Sequence, residues 1–196
     1  MINFNGDSSA QENMLTQNRA FLYGDAVFET VKIVNSKILF LEDHYFRLMA
    51  SMRVVRMEIP MNFTMEYFEE QLLSVVENNG FSDAARARMT VYRNDGGYYL
   101  PKNNTISFLI NTIALENKAY TTSPTPYEVD LYKDFYISKQ LLSTVKTTNK
   151  IINVTASIYA DENGHEPYRS WIDSLKDKKG QQRIRARIRR LGEGLY

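Results

Sequence analysis

The sequence has 196 residues, 43% hydrophobic and 24% charged, with a formal net charge of +1, the balance of one large domain or two small ones. The absence of Cys excludes disulfides and thiolate metal sites, and His44 and His165 are too far apart in sequence to read as a zinc pair. No apolar run is long enough to span a bilayer and no signal-peptide pattern is expected at the N-terminus, and the lack of Cys fits a reducing cytoplasm, so a cytoplasmic protein off the membrane is expected.

In chain order, residues 2–9 alternate briefly and then turn, which predicts a short edge strand. Residues 18–25 (Asn-Arg-Ala-Phe-Leu-Tyr-Gly-Asp) follow as a loop or a single helical turn. Ala26 to Val34 is rich in β-branched and aromatic residues, and Asn35-Ser36 can turn it into Lys37–Leu41 as a hairpin. From Glu42 to Arg56 the period changes. Tyr45, Leu48, Met49 and Met52 recur at helical spacing, and Pro60 ends anything helical. Thr64 can cap a second helix that buries Phe68, Leu72 and Val75 and stops at Gly80.

Ala85 to Arg93 alternates, with Ala87, Met89 and Val91 on one face and Arg86, Arg88 and Thr90 on the other. Asn94-Asp95-Gly96-Gly97 is a strong turn, and Ile106, Phe108 and Ile110 mark another half-buried strand. Residues 114–126 read as a linker, Tyr127 to Tyr132 as a strand, and Lys146 to about Ala160 as a helix. The expected fold class is therefore α+β, an antiparallel sheet with two helices, then the start of a second lobe and a C-terminal helical hairpin. The divisions are 1–113 for the first lobe, 114–126 for the linker, 127–164 for the second lobe's opening and 165–196 for the hairpin.

One lysine lies between a polar, β-branched run and an apolar run, in Leu141-Leu142-Ser143-Thr144-Val145-Lys146-Thr147-Thr148-Asn149-Lys150-Ile151. An amine held against apolar surroundings has its charged form disfavoured and can attack a carbonyl. Lys150, four residues on, would share a helix face with it and is the rival. Three stretches in order then carry a resemblance: residues 23–30 (Tyr-Gly-Asp-Ala-Val-Phe-Glu-Thr), residues 44–48 (His-Tyr-Phe-Arg-Leu) and residues 145–151 (Val-Lys-Thr-Thr-Asn-Lys-Ile). Together they resemble the class IV aminotransferases, pyridoxal-phosphate enzymes of fold type IV that include branched-chain and D-amino-acid aminotransferases and aminodeoxychorismate lyase. The lysine-x-x-asparagine arrangement is most similar to the lyase branch.

The resemblance implies pyridoxal 5'-phosphate as cofactor. Lys146 would be the catalytic lysine joined to the cofactor aldehyde, and Arg47 would grip its phosphate with paired, permanently charged donors. His44 would support Arg47 or be a plain structural histidine. Tyr23 and Phe28 match positions that line a substrate pocket, or they are core aromatics. Arg93 could reach a substrate carboxylate. The substrate would be an amino acid for transamination or aminodeoxychorismate for lysis, and a homodimer is implied. No metal is expected.

The resemblance is expected to cover residues 1–164. Beyond it the family's further strands would carry a glutamate for the pyridine nitrogen and a phosphate-binding turn, which residues 165–196 do not supply, so weak or absent activity is expected. From Pro167 onward nine Lys/Arg face only Asp173, Asp177 and Glu193. Tyr168, Trp171, Ile172 and Leu175, then Ile184, Ile188 and Leu191, form two apolar helix stripes. This part is similar to the opening helices of HigB/RelE-type toxins, which implies as alternatives an RNA- or ribosome-associated toxin-like module or an inactive chimera of two incomplete domains. Its arginines suit either an RNA backbone or a solvated helix face, and the second reading is favoured.

Overall fold

The computed structural model of the protein describes residues 2–4, 6, 17–81, 83–120, 138–158 and 178. Contacts divide the chain into two units, Met1–Thr122 with Gln140–Asn149, and Ser123–Lys139 with Lys150–Tyr196.

The first unit is built on an antiparallel sheet whose strands follow the period-two patterning. These are β1 (Ile2–Phe4), β2 (Ala26–Val34), β3 (Lys37–Ile38), β4 (Ala84–Arg93) and β5 (Ile106–Ala114), in spatial order β1-β5-β4-β2-β3. Asn35 and Ser36 both take positive φ, 49° and 57°, which lets a two-residue turn fold β2 directly onto β3. α1 (Arg19–Tyr23) is one short turn, closed by Gly24 at φ 64°.

Two longer helices cover one face of the sheet. In α2 (Leu41–Val54) the buried residues are Leu48, Ser51 and Met52, and in α3 (Met65–Asn78) they are Phe68, Leu72, Val75 and Val76. They meet Val27, Val31 and Ile33 of β2, Ala85, Ala87, Met89 and Val91 of β4, and Phe108 and Ile110 of β5 in one core cluster. Each fully buried large side chain contributes about 1.5–3 kcal/mol, so this layer dominates the unit's stability. Thr64 caps α3 by accepting the Tyr67 amide at 3.2 Å. At the other end the Asn79 side-chain amide donates to Val75 O at 2.9 Å and to Thr112 Oγ1 at 2.8 Å, fastening the helix to β5.

The segment around Lys146 corrects the expectation of a helix from Lys146. A 3-10 turn (Leu141–Thr144) is followed by extended chain, and α4 begins only at Ile151 and runs to Ile158. The reason is an open edge. β3 spans only two residues and pairs with Ile33 and Val34, leaving the start of β2 without a neighbour on that side. Residues 146–148, with their two β-branched threonines, fill it. The Phe28 amide donates to Lys146 O at 2.9 Å, the Thr148 amide donates to Ala26 O at 3.0 Å, and Val27 bridges Thr147. Lys146 and Lys150 therefore do not share a helix face. Residues 140–149, expected in a second lobe, make their contacts within the first unit. The expected strand Tyr127–Tyr132 and, apart from Lys178, the expected hairpin 165–196 lie outside the described residues.

Candidate functional site

Alternation along β2 places Val27, Glu29, Val31 and Ile33 toward the helices and Phe28, Thr30 and Lys32 on the opposite face. Glu29 is thus a carboxylate at a core position, 1% exposed. The α2 helix packs over it, and His44 and Arg47, three residues apart and so on one helix face, both reach it. Arg47 donates from Nε to Glu29 Oε1 at 2.6 Å and from Nη2 to Oε2 at 2.7 Å, a two-bonded fork. His44 Nδ1 lies 2.8 Å from Oε2 and 3.0 Å from Arg47 Nη2. Lys146 Nζ approaches Oε2 at 3.5 Å, delivered by the strand pairing that fixes its backbone beside Phe28.

The electrostatics follow from this packing. Burial pushes the Glu29 carboxyl up, but hydrogen bonds from Arg47 and His44 and the charges of Lys146 and Arg47 outweigh it and hold it below the ordinary carboxylate value. The same fork raises Arg47 above the usual arginine value, with burial opposing. Phe28, on the other face of β2, presents its ring to two cations. Lys146 Nζ is 5.2 Å and the Arg88 guanidinium carbon 3.8 Å from its centroid. Burial, reinforced by the neighbouring charge of Arg86, lowers Arg88.

Three of the residues expected from the sequence, Lys146, Arg47 and Phe28, thus come together, with His44 among them. Glu29, which joins them, carried no expected role, and its signal was available as a charge at the parity of Val27, Val31 and Ile33. Arg93 does not join this cluster. It is 6% exposed, and four of its five N–H donors are taken, by Asp25 Oδ2 (3.0 Å), Arg56 O (3.2 Å), Val55 O (2.7 Å) and Asn104 Oδ1. These bonds hold the surrounding loops together around Arg93, the residue expected to reach a substrate carboxylate. Arg19 shares Asp25 Oδ2 at 2.9 Å and donates to the carbonyls of Gly96 (3.1 Å), Gly97 (3.3 Å) and Tyr98 (2.7 Å). Tyr23 belongs to that second network, with Arg19 over its ring at 4.9 Å and Tyr99 beside it at 5.8 Å.

A separate open cavity of about 520 Å³ lies between the end of α2 and the start of α3, lined by Tyr45, Met49, Met57 and Phe63 among others. It includes none of the cluster's charged groups. Among the described residues no group of His, Asp and Glu could hold a metal ion, and no helix is long and apolar enough to cross a membrane.

The family model of class IV amino-transferases matches residues 26–172. The branched-chain amino acid aminotransferase of Escherichia coli aligns at TM-score 0.57 and 17% identity, covering 74% of this chain and 50% of that one. A branched-chain amino acid aminotransferase from T.th., complexed with N-(5'-phosphopyridoxyl)-L-glutamate, aligns at TM-score 0.50 and 28% identity, covering 58% and 40%. The 4-amino-4-deoxychorismate lyase of Pseudomonas aeruginosa aligns at TM-score 0.48 and 23% identity, covering 58% and 40%. The chain thus spans half or less of the length of these solved structures. The family match also runs past residue 164, where the sequence reading ended it, and takes in residues 165–172 that were compared with toxins. Nothing found supports a toxin segment.

Proposed function

The chain belongs to the class IV aminotransferases, and from that premise we propose that it acts on the amino group of an amino-acid substrate with pyridoxal 5'-phosphate as cofactor. The reaction is transamination or, on aminodeoxychorismate, lysis. The observation that carries this reading is the convergence of Lys146 Nζ and the Arg47 guanidinium on the single carboxylate of Glu29. A reactive amine and an anion anchor stand in one cluster, from segments far apart in the chain.

The donor set fits a phosphorylated aldehyde. The Arg47 fork to Glu29 uses Nε and Nη2, and Nη1 has no hydrogen-bond partner among the described residues, on a side chain 47% exposed. A phosphate oxygen suits that free edge, since guanidinium and phosphate pair through short charge-assisted bonds. The Lys146 side chain is 33% exposed, so its amine can be reached by a carbonyl. Lys146 and Arg47 would hold the cofactor, which supplies an electron sink for the bonds broken at the substrate α-carbon.

The chain's own residues have limited, defined tasks. Lys146 Nζ, once free, takes the α-proton of the substrate and returns it, a role that an amine beside a carboxylate can perform. The Phe28 ring lies 5.2 Å from the amine and bounds it on one side. A homodimer is proposed with this reading, supported by exposed Phe21, Leu22, Tyr98, Tyr99 and Leu100 near Tyr23.

The test is an absorbance titration of the purified chain with pyridoxal 5'-phosphate, then borohydride reduction and peptide mapping. A yellow protein with label fixed on Lys146, and colour lost in Lys146→Ala, is expected. Label scattered over surface lysines would overturn the proposal. With the label placed, 2-oxo-acid formation from amino acids and pyruvate release from aminodeoxychorismate separate the two reactions.

A further inference from the structure

Glu29 occupies a position that an apolar residue would fill at no electrostatic cost. Its neighbours on that face of β2 are Val27, Val31 and Ile33, all nearly inaccessible. A carboxylate survives there only when its oxygens are paired, and these are paired in a particular way. Oε1 takes Arg47 Nε, while Oε2 takes Arg47 Nη2 and faces His44 Nδ1 and Lys146 Nζ. The guanidinium is planar, so a fork through Nε and Nη2 fixes its plane and turns Nη1 to the far side. Arg47 is half exposed, and without that fork it would keep the many rotamers of a long surface side chain.

We infer that Glu29 is a positioning residue, which presents the Nη1 edge of Arg47 and the Nζ of Lys146 at a set spacing to one ligand bearing both a phosphate and an aldehyde. The inference rests on the cofactor reading above and assigns Glu29 no contact with the ligand. Arg47 reaches the site from a helix surface and Lys146 from the edge of a strand, and the shared carboxylate is what relates them. Ordering the pair before the ligand arrives removes the cost of ordering it on binding.

The test compares pyridoxal 5'-phosphate with pyridoxal, which lacks the phosphate, on the full chain. Affinities are read by absorbance titration for wild type, Glu29→Gln, Arg47→Ala and the double variant. The wild type binds the phosphorylated aldehyde more tightly. Glu29→Gln reduces that advantage about tenfold, the ordinary size of such couplings, and adds nothing to the loss in Arg47→Ala. After borohydride reduction, the label in Glu29→Gln spreads from Lys146 to other lysines.

An unchanged ratio in Glu29→Gln, or losses that multiply in the double variant, overturns the inference while leaving the cofactor reading intact. A wild-type chain that captures neither aldehyde on Lys146 overturns the reading and the inference together. Circular dichroism checks that the glutamine variant is folded. If it is not, Glu29→Asp keeps the charge but is one methylene too short to span the fork, and it also lowers the ratio. An aspartate variant with the wild-type ratio is equally fatal to the inference.

Discussion

At the scale of single residues, Glu29 links protonation to structure. Its carboxyl is held below the ordinary value of 4.5, burial being outweighed by the bonds from Arg47 and His44 and by the nearby charges. For an acid whose folded value is depressed, the stabilisation is complete above the unfolded value and is lost as pH falls through the folded one. Denaturant midpoints measured on the acid side should therefore fall for the wild type as pH drops below 4.5, and Glu29→Gln should lack that component of the fall. Parallel curves would show that Glu29 is not the group responsible. Removing the other end of the fork, in Arg47→Ala, leaves Glu29 buried with His44 and Lys146 as its remaining partners. A loss of about 1–3 kcal/mol is expected in urea unfolding, the usual penalty for stripping a partner from a buried acceptor.

At the scale of elements, the Gly96–Gly97 turn is held by geometry that side chains cannot enter. Gly97 sits at φ 76°, and a Cβ there would collide with Leu100 O, a backbone atom that could yield only by moving the loop itself. Gly97→Ala should destabilise the first unit by about 1–3 kcal/mol or displace the loop, read as a drop in melting temperature. The sheet and its two helices were legible because their signals are local. Alternation marks β2 and β4, helical spacing marks α2, and Thr64 and Gly80 bracket α3. The conformation of Lys146 was not legible, because it is set by pairing with Ala26 and Phe28, far away in the chain. Apolar residues from Ile151 onward suggested a helix, and they do form one, but the β-branched threonines before it answer to the open edge of β2. The partners of Arg93 were not legible for a related reason. Its sequence position at a strand end suggested reach, while its partners Asp25, Val55, Arg56 and Asn104 come from three other loops.

At the scale of the whole molecule, the first unit carries an apolar surface that its own core does not use. Tyr98, Tyr99 and Leu100 are 83%, 91% and 85% exposed, and Phe21 and Leu22 of α1 are exposed as well. Tyr23 and Tyr99 touch, so the helix and the loop form one surface. That surface is also tied down by hydrogen bonds from beneath. Arg19 is 3% exposed and grips the carbonyls of Gly96, Gly97 and Tyr98 from within, while Asp25 ties Arg19 to Arg93. Exposed apolar patches of this kind mark interaction sites, and a loop ordered beforehand binds at lower entropic cost. The proposed homodimer uses this surface, so sedimentation velocity at micromolar chain concentration should give the mass of two chains. Tyr99→Asp with Leu100→Asp should give single chains of unchanged helical content, because neither side chain contributes to the core. A wild-type chain that sediments as a monomer, or a double variant that remains dimeric, would remove this surface from the assembly and leave the Glu29 cluster to be judged on its ligand chemistry alone.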